Sequence, residues 1–204
     1  MSEQQNRFII LKKTKFGESD LIIQALSVEG TKKSFIARSA LKSKKRFGGG
    51  ILEPSHYVLF TYKSAKSDGQ LNVLNEATLI DDFKDIRTDY DKLDFALTIL
   101  NCAYHVAQEG DVDSHFLFNL VGHSLRKLAL TDNLYRFKLH FYLKFLFQQG
   151  VINVEDWMTP FLKINIAESE KLDQFEDTKH SILDYGDSIE SQVFHYIKNA
   201  DTGF

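Results

Sequence analysis

KKSFIARSALKSKKRFGGGILEPSHYVLFTYK, residues 32–63, places two β-type runs either side of a connection too long for a hairpin. In SHYVLFTYK (55–63), His56, Val58, Phe60 and Tyr62 alternate with Tyr57, Leu59, Thr61 and Lys63, the period of a strand with one face in a core. KKSFIARSA (32–40) precedes the connection as another strand. Upstream, RFIILKK (7–13) and DLIIQALS (20–27) read the same way, and QLNVLNEATLI (70–80) follows downstream. Gly17, Gly30 and Ser67-Asp68-Gly69 supply turns. Five strands with a longer third connection suit a small OB-type barrel; an SH3-like barrel has similar strand content and fits the same periodicity.

The connection also carries a charge problem. Lys42, Lys44, Lys45 and Arg46 stand within five residues of a chain whose formal net charge is only -3. Like charges that close repel, so the cluster is useful only where something negative meets it. No acid lies between Gly30 and Leu52, whereas Lys32, Lys33, Arg38, Lys42, Lys44, Lys45 and Arg46 all do. Residues 1–80 hold 13 Lys/Arg and 7 Asp/Glu; residues 81–204 hold 12 and 21, so the halves are +6 and -9. A basic, polyanion-binding module on an acidic body is the reading, with Lys63 on the fourth strand as a further cation. Phe47, Tyr57 and Tyr62 are candidate stacking surfaces beside those cations, as in OB barrels that bind single strands. Alternation puts Tyr57 and Tyr62 on opposite faces, so at most one of them meets ligand.

From Asp81 the period becomes helical. Tyr90, Leu93, Leu97, Leu100, Tyr104 and Ala107 repeat at three and four, with Thr88 or Asp89 as N-cap and Gly110 as a stop. A second helix beginning near Ser114 carries Leu117, Leu120, Val121, Leu125 and Leu128. A third, capped by Thr131 and running to Gly150, is apolar on nearly every face and belongs at the centre of a bundle. Beyond Pro160 only Ile189, Val193, Tyr196 and Ile197 mark a closing helix. The architecture expected is β + α: an OB-like barrel over 1–80 and an all-helical domain over 81–204.

Other chemistry finds little support. MSEQQNR has no apolar signal core and Leu139–Phe147 is broken by His140 and Lys144, so a cytoplasmic protein without a membrane span is expected. Cys102 is the single cysteine and sits in an apolar helical pattern. The cations precede Gly48-Gly49-Gly50, the reverse of a P-loop, so a turn is expected there. Glu18 and Asp20 in GESD read as a solvated turn. The seven histidines have no ligand spacing and there is no GxSxG nucleophile elbow, so no enzyme, metal or cofactor is expected. Triad members need not be close in the chain, which leaves a nuclease-type hydrolase as a third reading. An RNA- or ribosome-binding OB protein is the second.

The combination of GESDLI (17–22), ARSALKSKKR (37–46) and FGGGILEP (47–54) resembles the amino-terminal domain of the RecO family of bacterial DNA-repair and recombination mediators. The resemblance is strongest over residues 8–82. LYRFKLHFYL (134–143) is similar to that family's LRxFExxLL helix, with Lys138 where the family usually has Glu. Two departures bear on function: GVINVEDWMTPFLK (150–163) lacks the four zinc-binding cysteines of many members, and the chain is short for the family. Ser55 also replaces an aromatic that often follows the proline. What the resemblance implies is a non-enzymatic protein, nucleoid-associated during repair. It would bind single- and double-stranded DNA, anneal complementary strands, and with RecR help RecA displace single-stranded DNA-binding protein (SSB). It further implies that the helical domain receives the acidic SSB C-terminal tail, for which Arg126, Lys127, Arg136 and Lys138 are the candidate cations.

Overall fold

The computed structural model describes residues 3–65, 70–108, 115–175 and 177–200. The expected turn at 67–69, the stop at Gly110 and the helix start near Ser114 fall outside these. The chain divides into two compact units, Met1–Phe83 with Ala107–Asn119, and Lys84–Val106 with Leu120–Phe204. This differs from a single cut at residue 80, because a segment from the helical half is counted with the barrel.

The first unit is a closed five-stranded barrel. Its strands are β1 (Glu3–Phe16), β2 (Asp20–Ser27), β3 (Lys32–Ala37), β4 (Tyr57–Lys63) and β5 (Asn72–Asp81), in ring order β1-β2-β3-β5-β4. β3 and β5 run parallel, pairing Phe35 with Asn72 and Ile36 with Val73, while every other pair is antiparallel. That Greek-key ring is the OB arrangement and removes the SH3-like alternative. β1 closes the ring because it is long enough for two partners. Glu3–Ile9 pair with β4, Phe8–Phe16 pair with β2, and a bulge between Ile10 and Lys12 bends the strand. Gly17 (φ 60°) makes the tight β1–β2 turn, a backbone conformation that a Cβ would strain.

Phe8, Ile10, Ile23, Phe35, Phe60 and Tyr62 fill the barrel, with the ring of Phe8 stacked on Phe60 at 5.3 Å and edge-on to Phe35 at 5.1 Å. Ala40, Phe47 and Leu52, all from the β3–β4 connection, complete this core. The connection is therefore anchored by its own apolar residues, and its cations are left at the surface.

The second unit is helical. α1 (Tyr90–Val106), α2 (His115–Leu130), α3 (Leu134–Gln148), α4 (Thr159–Lys163) and α5 (Asp177–Ala200) are its elements, the start of α2 being counted with the barrel unit. α3 is its centre, with nine buried residues including Phe137, Phe141, Phe145 and His140. Its cap is Asn133 rather than Thr131: the Asn133 side chain accepts from the Arg136 N–H at 3.1 Å. α1 is rotated relative to the expected stripe, of which Leu100 is buried and Tyr90 and Leu97 are not. Tyr90 is 81% and Leu97 50% exposed, whereas Phe95, Ala96, Ile99, Leu100, Cys102 and Ala103 are buried. Phe95 decides the rotation, meeting Phe137, Phe141 and Tyr142 of α3 edge-on at 5.5–6.1 Å. Ile189, Val193 and Ile197 of α5 are buried as a stripe. No helix among the described residues is long and apolar enough to cross a membrane.

Candidate nucleic-acid interface

The GESD turn and the basic connection meet. The Asp20 carboxylate accepts from the Ser39 N–H at 2.7 Å, and the Leu41 N–H donates to the Ser19 carbonyl at 3.0 Å. Ser39 sits at φ 54°, a left-handed conformation uncommon for serine, and the charged acceptor on its N–H compensates. Asp20 is thus a clamp on the loop rather than a solvated turn residue. At the far end of the loop Glu53 pairs with Lys13 at 2.6 Å, and the Ser55 N–H donates to the Ile10 carbonyl at 2.9 Å. Ser55 is also left-handed, at φ 73°.

Between these fastenings Arg38, Lys42, Lys44, Lys45 and Arg46 are all exposed. Arg46 is held in place: one guanidinium N–H donates to the Arg38 carbonyl at 2.9 Å, and the group lies 5.0 Å above the Phe47 ring. Among the described residues, Lys42, Lys44 and Lys45 make no ion pair. Among the described residues no carboxylate relieves their mutual repulsion, and an external polyanion is the simplest counter-charge. Gly48–Gly50 forms a short 3-10 turn with Gly49 and Gly50 at positive φ, the turn expected there.

Other expected site residues lie apart from this cluster. Lys32 and Lys33 pair with Leu26 and Ala25, whereas the loop departs from the end where Ala37 meets Leu21; at about 3.3 Å per residue the two ends are roughly 17 Å apart. Lys33 faces Glu29. Burial would raise the Glu29 pKa, but side-chain hydrogen bonds, including one from Asn6 at 3.1 Å, and the charge of Lys33 hold it below its ordinary value. Lys63 is exposed at the end of β4, opposite Glu3 and Val73.

The aromatic expectation needs correction. Tyr62 is 3% exposed and packs edge-on to Phe8 and Phe35, so its ring offers no face to a base; burial, then the charge of Glu29, raises its pKa. Phe47 is buried as well. Tyr57 points outward, half-buried, with its ring 6.0 Å from Phe118. Among the aromatics of the five barrel strands, the one left open is Phe16, the last residue of β1, at 52% exposure. It was legible as the end of an alternation running beyond RFIILKK through KTKF, where the expected strand stopped at residue 13.

The cations of the helical unit are mostly engaged. Arg136 is buried and paired with Asp173, Lys127 is paired with Glu170, and the Lys138 ammonium lies 5.4 Å above the Phe95 ring. Arg126 is exposed. A free set of four cations beside an apolar slot is therefore not what this unit presents. The charged stretch Ile166–Gln174, which carried no apolar signal, supplies the two acids. Among the described residues no three His, Cys, Asp or Glu side chains gather as metal ligands.

Residues 1–83 match the family model for the recombination protein O N terminal domain. A DNA repair protein RecO from Maridesulfovibrio salexigens is 32% identical over 148 residues, 72% of this chain and 59% of the relative. Another from Desulfatibacillum aliphaticivorans is 32% identical over 145 residues, 70% of this chain and 55% of the relative. A third, from Staphylococcus haemolyticus, is 27% identical over 194 residues, covering 94% and 71%. The matched part of the chain thus spans little more than half the length of the first two relatives. An OB barrel with the GESD clamp and the basic β3–β4 connection, followed by helices that the longer matches also cover, places this chain in the RecO family.

Proposed function

We propose that the protein is a DNA-binding mediator and strand-annealing factor of DNA repair, which acts with RecR to help RecA replace SSB on single-stranded DNA. The observation that carries this is the exposed, acid-free cation cluster fixed on the β3–β4 connection of an OB barrel. Backbone phosphates are its natural ligand, and sequence-independent phosphate contact is what annealing of any complementary pair requires. The names of the relatives supply the setting, repair, which charge alone could not distinguish from RNA binding. No catalytic step is part of this reading, and the partner roles of RecR, SSB and RecA rest on the family.

Two measurements test it. Annealing of complementary strands coated with SSB, with and without RecR, should be accelerated by this protein; no acceleration in either condition sinks the mediator reading. Lys44→Ala, Lys45→Ala and Arg46→Ala combined should lower the log–log salt slope for single-strand binding by about 2, at roughly 0.7 per phosphate contact. An unchanged slope assigns the cluster to something other than phosphate, and tighter binding of RNA in competition would move the reading to the RNA-binding alternative. For the SSB tail the candidates are Arg126, Lys127, Arg136 and Lys138, and Arg126 and Lys138 are tested first because Lys127 and Arg136 would have to leave Glu170 and Asp173. A labelled acidic tail peptide should bind Arg126→Ala and Lys138→Ala more weakly than wild type; equal affinities remove both residues.

A further inference from the structure

We propose that Phe16 is a base-stacking platform, so that the barrel distinguishes an unpaired base from a bare or duplex phosphate backbone. The proposal rests on the nucleic-acid reading above and adds to it a contact that reads bases.

Three observations converge on this ring. Phe16 is a large apolar side chain left 52% exposed, whereas the other phenylalanines of the barrel strands, Phe8, Phe35 and Phe60, are fully buried. Single exposed apolar residues are ordinary on protein surfaces, so exposure alone decides nothing. Its place in the sheet decides more. Register puts Phe16 opposite Asp20 and Thr14 opposite Ile22, and Ile22 opposite Ile36 of β3, so the ring ends an outward row continuous with two half-buried isoleucines. Diagonal neighbours on a strand pair are within reach of an aromatic ring, which sets Phe16 beside Ile22 of β2 and, through it, Ile36 of β3. This is the sheet face on which OB barrels receive oligonucleotides.

The third observation identifies the occupant. Phe16 leads directly into the turn Gly17–Ser19, and that turn holds the basic loop through Ser19 and Asp20, which bind Leu41 and Ser39. The open ring and the exposed cations Lys42, Lys44 and Lys45 are thereby fixed at the same end of the barrel. A ligand that satisfies both needs negative charges at regular intervals and flat apolar groups between them, and single-stranded nucleic acid has that composition. A duplex supplies only the charges, because its bases are already stacked on one another.

The experiment compares three probes of equal length: a dT oligomer, an oligomer of abasic sites and a duplex. Wild type should favour dT over the abasic strand by about 5- to 150-fold, the range expected for one stacked base. Phe16→Ala should abolish that preference while leaving duplex affinity, the salt slope and the melting temperature as in wild type. Phe16→Trp should keep the preference, and dT should quench its fluorescence beyond any change in wild type, whose single tryptophan is Trp157. A Phe16→Ala protein that still prefers dT, or that loses dT and duplex affinity together, overturns the platform. Wild type that binds strands with a normal salt slope but no dT preference removes the platform and leaves the proposed function standing. Wild type that binds no probe removes both.

Discussion

His140 gives the helical unit a specific acid sensitivity. It is fully buried on α3, with Nε2 3.1 Å from the Ile164 carbonyl and Nδ1 3.1 Å from the Ser169 hydroxyl. A carbonyl can only accept, so Nε2 carries the proton and Nδ1 accepts from Ser169, an arrangement that satisfies the neutral ring completely. Burial lowers the imidazole pKa to about 4, against 6.5 unperturbed; the Lys144 and Arg136 charges push the same way, while the Ile164 and Phe161 carbonyls oppose. Below pH 6.5 the unfolded chain takes up a proton that the folded one refuses until about pH 4. The stabilisation is therefore whole above pH 6.5 and lost as pH falls toward 4. The difference of about 2.5 pH units corresponds to about 3 kcal/mol in all, of which about 2 kcal/mol is gone by pH 5. Trp157 is a local reporter, its ring 6.4 Å from Phe161, which itself lies 6.1 Å from His140. Urea unfolding followed by Trp157 fluorescence at pH 7.5, 6 and 5 should show wild type losing about 2 kcal/mol more than His140→Gln over that span. Parallel pH dependence in the two proteins would refute the assignment.

Asp20→Ala removes a charged acceptor from a left-handed serine and should cost the barrel about 1–2 kcal/mol in urea unfolding, while weakening single-strand binding through a loosened basic loop; Asp20→Asn should recover part of both. Unchanged DNA affinity would separate the clamp from the interface. Cys102 is buried and its thiol is pushed up to about 12, chiefly by burial, so a chromogenic disulfide reagent at pH 8 should react with native protein far more slowly than with protein in urea. Comparable rates would mean that α1 opens readily.

Alternation located the strands because each barrel strand has one wet face, and it separated Tyr57 from Tyr62 correctly. It could not say which side is inside, since both sets carry an aromatic, and only the ring closure that sets Phe60 and Tyr62 against Phe8 and Phe35 answers that. The first residues of β1 carry no apolar signal at all: Glu3–Asn6 are strand because β4 offers its backbone to them. On α1 two stripes compete at helical spacing, and the one holding Phe95 wins because α3 presents three rings to it. The partner, not the period, chose the face.

Charge was the most legible feature and also the most deceptive. A long acid-free interval predicts an uncompensated patch only where no acid arrives from elsewhere in the fold. Lys127 and Arg136, offered as cations for the SSB tail, show such an arrival, because Glu170 and Asp173 reach back from 43 and 37 residues downstream. At the β3–β4 connection two acids also arrive, Asp20 and Glu53, but the fold commits them otherwise: one binds the Ser39 backbone N–H and the other pairs with Lys13 of β1. Both acids position the loop without discharging Lys42, Lys44 and Lys45. A protein that needed the cluster only for its own stability would gain by turning Asp20 or Glu53 toward those lysines. Their use as fastenings instead is the physical reason to read the cluster as a surface kept charged for a ligand.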